Sequence, residues 1–387
     1  MPELFKNKED CCGCTACLSA CPKNAIQMVE DEKGYLYPTI DENLCIGCNI
    51  CEKVCPLKIE NNKLSFTQVA YGVKNKDNEE RNRSSSGSVF IEIAKAVLSE
   101  NGVVFGVEMD SNFIVYHSWA NTLEESRKFQ GSKYVQSIKG NAYSKVKEYL
   151  MDGKKVLFTG TPCEVAGLKK YLGKDYNNLL TIDIICHGVP SQKLLQKFIN
   201  KKEKDFKSKI KSLTFRDKKF GWRNQEIHIN FENDKDYHAP IWEDEFYRLF
   251  TSNYILRESC YVCHFANMNR PGDITIGDFW NIKNVKEDFE DTLGISSILV
   301  NTEKGADLFD SIKSDFNYFN CDFNEITQPN LQHPSIKPEN FEEFKKDFES
   351  QGLDYCLKKY GEMGVMEKVK RFLSPLTKRV KKLIRRK

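Results

Sequence analysis

From Val69 onwards, short apolar runs alternate with longer segments whose apolar residues recur at every third or fourth position. Such runs are typical of buried strands, and the longer segments are typical of helices with one buried face. Strands that alternate with helices predict a mainly parallel sheet with helical crossovers, so we expect an α/β body. The predicted segments are a loop and helix at 84–102, a strand at 103–110, a helix at 141–152, strand–loop–helix units at 154–173 and 179–199, and strands at 273–280 and 294–302.

Three further segments depart from this alternation. Residues 213–240 carry short strand-like runs and predict a β-rich excursion. Residues 303–363 are polar with helical periodicity, so we expect peripheral helices there. Near the N-terminus, residues 25–41 alternate apolar and polar side chains around Lys33-Gly34, which indicates a hairpin.

Residues 364–387 form a basic segment with ten Lys or Arg and one Glu, although the whole chain has a net charge of only +3. The apolar residues step by three and four and predict one apolar face on a basic helix, which Pro375 should kink or break. Two alternatives stay open: a peripheral contact with an anionic membrane surface, or a helix docked on the body with its charges outward. No companion motif supports nucleic-acid binding. The apolar positions are Val365, Val369, Phe372, Leu373, Leu376, Val380, Leu383 and Ile384.

Eight cysteines between residues 11 and 55 form two copies of the pattern C-x2-C-x2-C-x3-C-P. This is the ligand pattern of a bacterial ferredoxin that holds two [4Fe–4S] clusters. Zinc sites usually show two paired cysteines instead, so we set aside a zinc knuckle, and also a disulfide framework. The copies are Cys11, Cys14, Cys17 and Cys21, followed by Pro22, and Cys45, Cys48, Cys51 and Cys55, followed by Pro56.

The fourth cysteine of each copy cannot reach the cluster of its own loop and ligates the other one. We therefore expect one cluster on Cys11, Cys14, Cys17 and Cys55, and the second on Cys45, Cys48, Cys51 and Cys21. Cys12 is left without a ligand role.

The composition indicates a cytoplasmic protein. The chain is 40% hydrophobic and 29% charged, with no apolar run of the roughly 18–20 residues that span a bilayer. The residues before the first cysteine have no apolar core, so we expect no signal peptide. In that compartment, 15 cysteines indicate metal ligands rather than disulfides. We expect a cytoplasmic location, with the basic segment allowing contact with the inner face of the membrane.

The body carries further cysteines after its predicted strands. Cys163 and Cys186 follow two of these strands, where α/β proteins form ligand sites, and Cys260 and Cys263 form a C-x2-C pair. Four thiolates suit a third [4Fe–4S] cluster or a zinc ion. Taken alone, each of these cysteines is better explained as a small buried side chain, and only the C-x2-C pair has a diagnostic spacing.

Seven segments of the body resemble the beta subunit of the coenzyme F-420 hydrogenase/dehydrogenase family. They are SSSGSVF (84–90), GSKYVQS (131–137), VLFTGTPCEVAGLKKYL (156–172), DIICHGVPS (183–191), FRDKKFGW (215–222), CYVCHFA (260–266) and RPGDITIGDFW (270–280). The resemblance implies FAD and one [4Fe–4S] cluster in the body, with Cys163, Cys186, Cys260 and Cys263 as cluster ligands. It also implies electron exchange with the deazaflavin coenzyme or with an organic substrate.

The resemblance also directs attention to small-residue loops as the flavin site, since no GxGxxG follows a strand. Backbone N–H groups before a helix suit the pyrophosphate, a lysine suits a phosphate, and an aromatic ring suits stacking. Many relatives have Gly-Gly where this chain has Gly87-Ser88. The expected cofactor residues are Ser85, Ser86, Gly87, Ser88, Gly131, Ser132, Lys133, Tyr134, Thr159, Gly160 and Thr161.

His187 is our candidate catalytic residue, because it follows Cys186 and could donate a proton. A histidine that hydrogen-bonds a cluster sulfur or the backbone is the alternative. Asp278 and Arg270 are further acid–base candidates. Arg216, Asp217, Lys219 and Trp222 are expected near the substrate.

We therefore predict an iron–sulfur flavoprotein oxidoreductase with its own electron inlet, served by an electron donor or acceptor protein or by a reduced cofactor. A non-catalytic electron-transfer subunit on a partner enzyme is the first alternative, and a zinc-bearing body without flavin is the second. The predicted regions are 1–62 (ferredoxin-like), 68–150 (first part of the body), 151–345 (second part, with the third cluster and flavin) and 363–387 (basic amphipathic tail).

Overall fold

The computed structural model describes residues 2–58, which we call the head, and residues 66–364, which we call the body. The strands in these ranges are β1 (Ile26–Glu30), β2 (Leu36–Ile40), β3 (Val69–Asn75), β4 (Val103–Met109), β5 (Val115–Ala120), β6 (Val156–Gly160), β7 (Leu179–Ile184), β8 (Ile210–Asp217), β9 (Glu226–Phe231), β10 (Asp236–Pro240), β11 (Ile274–Asp278), β12 (Ser296–Val300) and β13 (Phe316–Cys321). The α-helices are α1 (Ala16–Ala20), α2 (Ile50–Lys53), α3 (Asn78–Arg83), α4 (Val89–Ser99), α5 (Leu123–Ser126), α6 (Ala142–Met151), α7 (Pro162–Leu172), α8 (Gln192–Phe206), α9 (Glu245–Thr251), α10 (Ile282–Val285), α11 (Glu303–Ile312), α12 (Phe323–Ile326) and α13 (Phe341–Cys356).

Eight strands of the body form one sheet in the order β13-β3-β12-β11-β7-β6-β4-β5. The α/β class is confirmed, and β4, β6, β7 and β11 run parallel at the centre. The outer pairings are antiparallel, so the sheet is mixed rather than mainly parallel. The physical reason is that β5 and β12 each return beside the strand that precedes them in sequence, instead of crossing over through a helix.

The segment 303–363 contains α11, α12 and α13, as expected, but it is not only peripheral helix. Its strand β13 pairs with β3 and forms one edge of the large sheet. In Phe316–Cys321, Phe316 is buried, Phe319 and Cys321 are half-buried, and the other three residues are exposed. A strand of this length between helical segments gives too few alternations to stand out from the sequence.

The β-rich excursion is confirmed as a separate antiparallel sheet in the order β10-β9-β8. Its apolar face packs with α8, α9 and α13 in one hydrophobic core. This arrangement places the end of β8 beside the carboxyl end of β11, where Arg216 and Asp278 form an ion pair of 2.7 Å.

The predicted hairpin of β1 and β2 is confirmed, and its turn is packed on the body instead of facing solvent. Lys33 is only 7% exposed, and its Nζ lies 3.2 Å from Glu258 Oε1. The Ser191 hydroxyl donates to the Lys33 carbonyl oxygen. The buried Tyr35 hydroxyl donates a 2.8 Å hydrogen bond to the Ile255 carbonyl oxygen.

The head and the body also share a hydrophobic core. Cys12, Cys14 and Ala16 of the head are buried in the same cluster as Tyr143 and Leu168 of α6 and α7. Helix α7 approaches so closely that a Cβ atom on Gly167 would lie 2.8 Å from the Cβ atom of Cys14. The first ligand loop of the head is therefore part of the interior of the protein.

Most of the predicted basic tail, residues 365–387, lies outside the described residues, as do residues 59–65 of the predicted linker at 61–68. Among the helices at 2–58 and 66–364, we find none that combines the length and the hydrophobicity needed to cross a bilayer.

Candidate functional site

The outer part of the head gathers four cysteines around one small cavity. They come from both copies of the repeat and are Cys21, Cys45, Cys48 and Cys51. Gly47 turns the loop with a φ of +69°, where a side chain would be strained. No histidine or carboxylate is present among the described residues that line this cavity. A donor set of four thiols is what a [4Fe–4S] cluster requires.

The other head cysteines of the pattern lie at the boundary with the body. Burial raises the pKa of Cys17 to about 12, and repulsion from Cys11 and Cys55 adds to this effect. Cys14 of the same loop is buried against α7. Thiolates held this closely in a buried place require a cation, and iron fits this requirement.

Three segments of the body bring Cys163, Cys186, Cys260 and Cys263 around a second cavity, which we call the body-cysteine cavity. Cys163 lies in the first turn of α7, Cys186 follows β7, and Cys260 and Cys263 lie in and after a 3₁₀ turn. Burial raises the pKa of Cys260 to about 12, with further repulsion from Cys263 and Cys163. The chain thus provides four converging thiols, which suit an iron–sulfur cluster or a zinc ion by number.

Cys12 lies between the head group and the body group. It is 8% exposed, and its thiol contacts both Cys14 and Cys163. The contact with Cys14 and burial raise the pKa of Cys12. A single side chain therefore separates a thiol of the first head group from a thiol of the body group.

Two polar side chains of the body hold the same head loop by its backbone. Gln136 Nε2 donates to the Cys12 carbonyl oxygen at 2.9 Å. Arg257, which is 1% exposed, donates from Nε to the Cys11 carbonyl oxygen at 2.8 Å and from Nη1 to Gln136 Oε1 at 3.0 Å. The distance in sequence between these partners explains why no local pattern indicated the contact.

A cavity of about 540 Å³ opens at the carboxyl ends of β6, β7 and β11. This volume is within the range of small-molecule and cofactor sites. Ten of the eleven residues expected to bind a cofactor line this cavity, namely Ser85, Ser86, Ser88, Gly131, Ser132, Lys133, Tyr134, Thr159, Gly160 and Thr161. The loops are joined directly, since the Ser85 and Ser132 hydroxyls lie 2.8 Å apart. That these residues bind FAD stays a prediction.

Gly87 does not line the cavity. Its N–H donates to the Ser296 hydroxyl at 2.9 Å, so it is not free to hold a phosphate. A Cβ atom at this position would lie 2.5 Å from the Val73 carbonyl oxygen, which explains the glycine by close packing on the sheet. The next residue, Ser88, has a φ of +68°, and its hydroxyl lies 3.0 Å from that of Ser84.

Lys133 is positioned by backbone oxygens at the cavity wall. Its Nζ donates to the carbonyl oxygens of Lys128 at 2.8 Å and Gln130 at 2.9 Å. Burial lowers the pKa of Lys133 to about 7, because the charged form is poorly hydrated there. An anion in the cavity would stabilise the charged form.

His187 lies on the wall that the body-cysteine cavity shares with the large cavity. Its Nε2 is 3.3 Å from the Phe250 carbonyl oxygen, so this nitrogen carries the proton in that contact. Burial lowers the pKa of His187, which favours the neutral imidazole near pH 7. That His187 is a catalytic residue stays a prediction.

Arg216 and Asp278 line the large cavity together with Trp280. Asp278 accepts from Arg216 Nη1 at 2.7 Å and from the Trp222 ring N–H at 3.0 Å. Arg216 Nη2 is buried and has no hydrogen-bond partner among the described residues. It therefore offers a donor to a ligand.

Arg270 and Trp222 lie outside the walls of both body cavities. The Arg270 guanidinium forms a buried ion pair of 2.6 Å with Asp183. Trp222 is also buried, stacked on Trp280 with 5.0 Å between ring centroids. Asp217 and Lys219 are not among the residues of the cavity wall.

Sequence analysis did not find a buried polar network behind the loop 159–161. Glu164 lies in it, 2.6 Å from Lys139 Nζ and 3.0 Å from the Ser137 hydroxyl, which in turn contacts His117 Nδ1 at 2.9 Å. Burial alone would raise the pKa of Glu164, but Lys139 and His117 lower it to about 2. The Thr161 N–H donates to Glu164 at 2.9 Å, so the network holds the turn that presents Cys163. The available sequence signal for this network was a charged residue, Glu164, directly after Cys163.

Tyr247, Gln225, Gln328 and Asn330 are further wall residues that sequence analysis missed. They belong to segments far apart in sequence, and no spacing connects them. A further wall residue, Trp280, could have been predicted, because it ends the motif RPGDITIGDFW, which also contains Asp278.

Comparison with known proteins gives two family matches. Residues 153–319 match the family described as the C terminus of the coenzyme F420 hydrogenase/dehydrogenase beta subunit. Residues 5–61 match the 4Fe-4S dicluster domain.

Among the similar proteins are two curated proteins and one solved structure. The F subunit of the F(420)H(2) dehydrogenase of Methanosarcina mazei is 22% identical over 334 residues, covering 79% of this chain and 83% of that protein. An uncharacterised ferredoxin of Methanocaldococcus jannaschii is 35% identical over 54 residues, covering 14% of this chain and 69% of that protein. A chain of the F420-reducing [NiFe] hydrogenase complex from Methanosarcina barkeri aligns with a TM-score of 0.46 and 17% identity, covering 78% of this chain and 93% of that chain.

The family matches agree with the motifs in the sequence and with the cysteine groups in the fold. They indicate electron transfer of the oxidoreductase type through iron–sulfur clusters. Residues 153–319 therefore belong to the family of the C terminus of the coenzyme F420 hydrogenase/dehydrogenase beta subunit, and residues 5–61 form a 4Fe-4S dicluster domain.

Proposed function

We propose that the chain is a flavin-dependent iron–sulfur oxidoreductase that holds three [4Fe–4S] clusters and one FAD and acts on an organic substrate or the deazaflavin coenzyme. One observation carries this proposal: the first head group adjoins the body group, and the body group adjoins the large cavity. Cys12 joins the first head group to the body group, and Cys186 lies on the walls of both body cavities. When bound, the clusters carry single electrons and FAD exchanges them for a two-electron step.

The loops of the large cavity supply the groups that FAD needs. Ser85 and Ser86 precede α4, and Gly131 has open space beside it, since a Cβ atom added there would meet no atom within 4 Å. Lys133 supplies a cation at the same end. We assign the loop 159–161 to the reactive end of the flavin, because Thr161 and Glu164 also face the body-cysteine cavity.

His187 and Arg216 are the residues that we assign to the substrate. His187 is our proposed proton donor: the Phe250 carbonyl oxygen holds its Nε2–H, and a proton taken up from solvent on Nδ1 would give the imidazolium that passes this proton to the substrate. Arg216 has a free Nη2 donor, which suits a carbonyl or carboxylate oxygen. Asp278 holds the other side of the guanidinium and fixes its direction.

Metal and flavin analysis of the full chain, purified without oxygen, tests this proposal. We expect about 12 iron and 12 sulfide ions per chain, from three cubanes, with one FAD and no stoichiometric zinc at the cysteines. The variant Cys260→Ser should lose about 4 iron ions, one cubane. Cys356→Ser is the matched control, since Cys356 is buried in the apolar core away from the cysteine groups. A wild-type protein with about 8 iron ions, two cubanes, and no flavin would refute the proposal.

A second function is favoured by the outer surface of the head. Leu44, Ile46 and Ile50 are exposed beside Cys48, and the exposed fraction of Ile46 is 62%. Small apolar patches over a redox centre suit brief docking of an electron-transfer protein. We propose such a protein as the partner, with the chain serving as a subunit when the partner holds the substrate. Ile46→Glu should raise the KM for a ferredoxin donor, while the iron content stays constant.

We also propose a peripheral membrane contact through residues 364–387, on the basis of their sequence. Sedimentation with vesicles that contain phosphatidylserine tests it. The full chain should sediment at low salt, and a variant with Lys and Arg of this segment replaced by Gln should stay in solution. Equal sedimentation of both proteins would refute the contact.

A further inference from the structure

The small sheet carries a cluster of metal-ligand side chains that the electron path does not use. Asp217 ends β8, His228 lies in β9 and His238 lies in β10. His228 and His238 are direct cross-strand partners. One ligand atom from each of Asp217, His228 and His238 can be chosen so that all lie within 4.8 Å of one another.

His238 lies between two carboxylates. Its Nδ1 is 2.7 Å from Glu226 Oε2, and its Nε2 is 3.8 Å from Asp217 Oδ1. His238 Nε2 and Glu226 Oε2 are both buried without a hydrogen-bond partner among the described residues. Buried polar atoms without a partner are unfavourable, and a cation between His238 Nε2 and Asp217 would satisfy this nitrogen.

His228 has the same relation to two carboxylates. Its Nδ1 is 3.2 Å from Asp217 Oδ2, and its Nε2 is 3.9 Å from Asp236 Oδ2. Each imidazole thus presents one nitrogen to Asp217 and the other to a separate carboxylate. Metal-binding histidines likewise have a carboxylate near the nitrogen that does not bind the metal.

A β-bulge directs Asp217 towards the histidines. The pairing of β8 with β9 is irregular between Thr214 and Asp217, and Asp217 then lies opposite Glu226. Bulges turn individual side chains and are frequent beside functional sites. Arg216, the residue before Asp217, faces the large cavity instead.

We propose that Asp217, His228 and His238 bind one divalent transition metal of the zinc class, with solvent completing the coordination. Two imidazoles and one carboxylate suit zinc, and three protein ligands leave one position open. The site contains no sulfur, which separates it chemically from the cysteine groups. The metal fixes the end of β8 and thereby holds Arg216 at the cavity wall.

Zinc binding to the cluster-loaded full chain tests the proposal, with iron content as a check on folding. After removal of loose metal with a chelator, the wild type should bind one zinc ion per chain. His228→Ala and Asp217→Asn should each weaken zinc binding by roughly 100-fold or more, and Glu226→Gln should weaken it by about 10–100-fold, as for other orienting carboxylates. His333→Ala is the control, because His333 is exposed and remote in sequence from the site.

Zinc X-ray absorption of the same samples should show nitrogen and oxygen ligands at about 2.0–2.2 Å. Zinc should also raise the melting temperature of the wild type and not that of His228→Ala. Two results would overturn the proposal: equal zinc binding by the wild type and by both ligand variants at matched iron content, or sulfur ligands in the absorption spectrum.

Discussion

Arg257 Nε donates a 2.8 Å hydrogen bond to the carbonyl oxygen of Cys11. This bond joins the ligand loop of the body to the ligand loop of the head, since Arg257 lies three residues before Cys260. The guanidinium also donates to the Leu36 carbonyl oxygen at 3.0 Å and lies 4.2 Å from the centre of the Tyr37 ring. One buried side chain therefore fixes the distance between two cysteine groups.

We expect Arg257→Lys to loosen this connection. Lysine keeps the charge but cannot reproduce the planar fork, so carbonyl oxygens of the head loop lose their donor. Each unsatisfied buried group costs about 1–3 kcal/mol of unfolding free energy. Unfolding in urea without oxygen, monitored by the loss of cluster absorbance, measures this change in the free energy of unfolding.

The control for this variant is Arg223→Lys. Arg223 also pairs with a carboxylate and a carbonyl oxygen, but its side chain is 39% exposed. Its replacement should leave the urea midpoint almost unchanged. If both variants had the same urea midpoint as the wild type, the hydrogen bonds of Arg257 to the head would not contribute to stability.

Cys12→Ala should retain the full iron content. Cys12 contacts Cys14 and Cys163, yet the first head group and the body group each have four cysteines without it. Its replacement should instead alter the rate of electron transfer between head and body, because it fills the space between them. Iron analysis and stopped-flow reduction measure the two effects. Loss of iron in this variant would make Cys12 a ligand and contradict the assignment.

Glu164→Gln should lower the unfolding free energy by about 3–5 kcal/mol, because it leaves Lys139 as an uncompensated buried charge. The double variant with Lys139→Met should recover part of this loss, since both charges are then absent. Thermal unfolding of the single and double variants measures the coupling. Glu148→Gln at an exposed pair is the control and should have no effect. Strictly additive losses would show that the pair is not coupled.

FAD affinity should depend on pH through Lys133, whose pKa burial lowers to about 7. A bound phosphate raises this pKa, so binding takes up a proton at pH values above about 7 and affinity falls as the pH rises. Below that pH, Lys133 is already charged and affinity should be constant. Titration between about pH 6 and pH 9 tests this, and Lys133→Met should remove the dependence. A pH profile unchanged by Lys133→Met would place the phosphate elsewhere.

The eight head cysteines and the central strands were accessible from the sequence because their signals are local. The cysteine spacing lies within one short loop in each copy of the repeat, and β6 and β7 each begin with buried apolar residues. The burial of Lys33 could not be predicted from the sequence, because a Lys-Gly turn normally faces solvent. Its burial depends on Glu258, which is 225 residues away.

The site residues that were predicted also have local sequence signals, whereas the missed ones depend on contacts between distant segments. Thr159 and Gly160 end β6 and Thr161 directly precedes α7, and such a junction between strand and helix indicates a ligand site. The contact of Gln136 with Cys12 and the pairing of Lys139 with Glu164 depend on how the sheet brings distant segments together. Gly87 illustrates a residue whose small size is required by packing on Val73 rather than by a ligand.

Reduction of the flavin through the clusters tests the central proposal most directly. Reduced ferredoxin is mixed without oxygen with the FAD-loaded full chain, and flavin absorbance is followed in the wild type and in Cys260→Ser. We expect rapid bleaching in the wild type and, in the variant, only the slow rate seen for free FAD. Equal rates in the two proteins would contradict a path through the body cysteines.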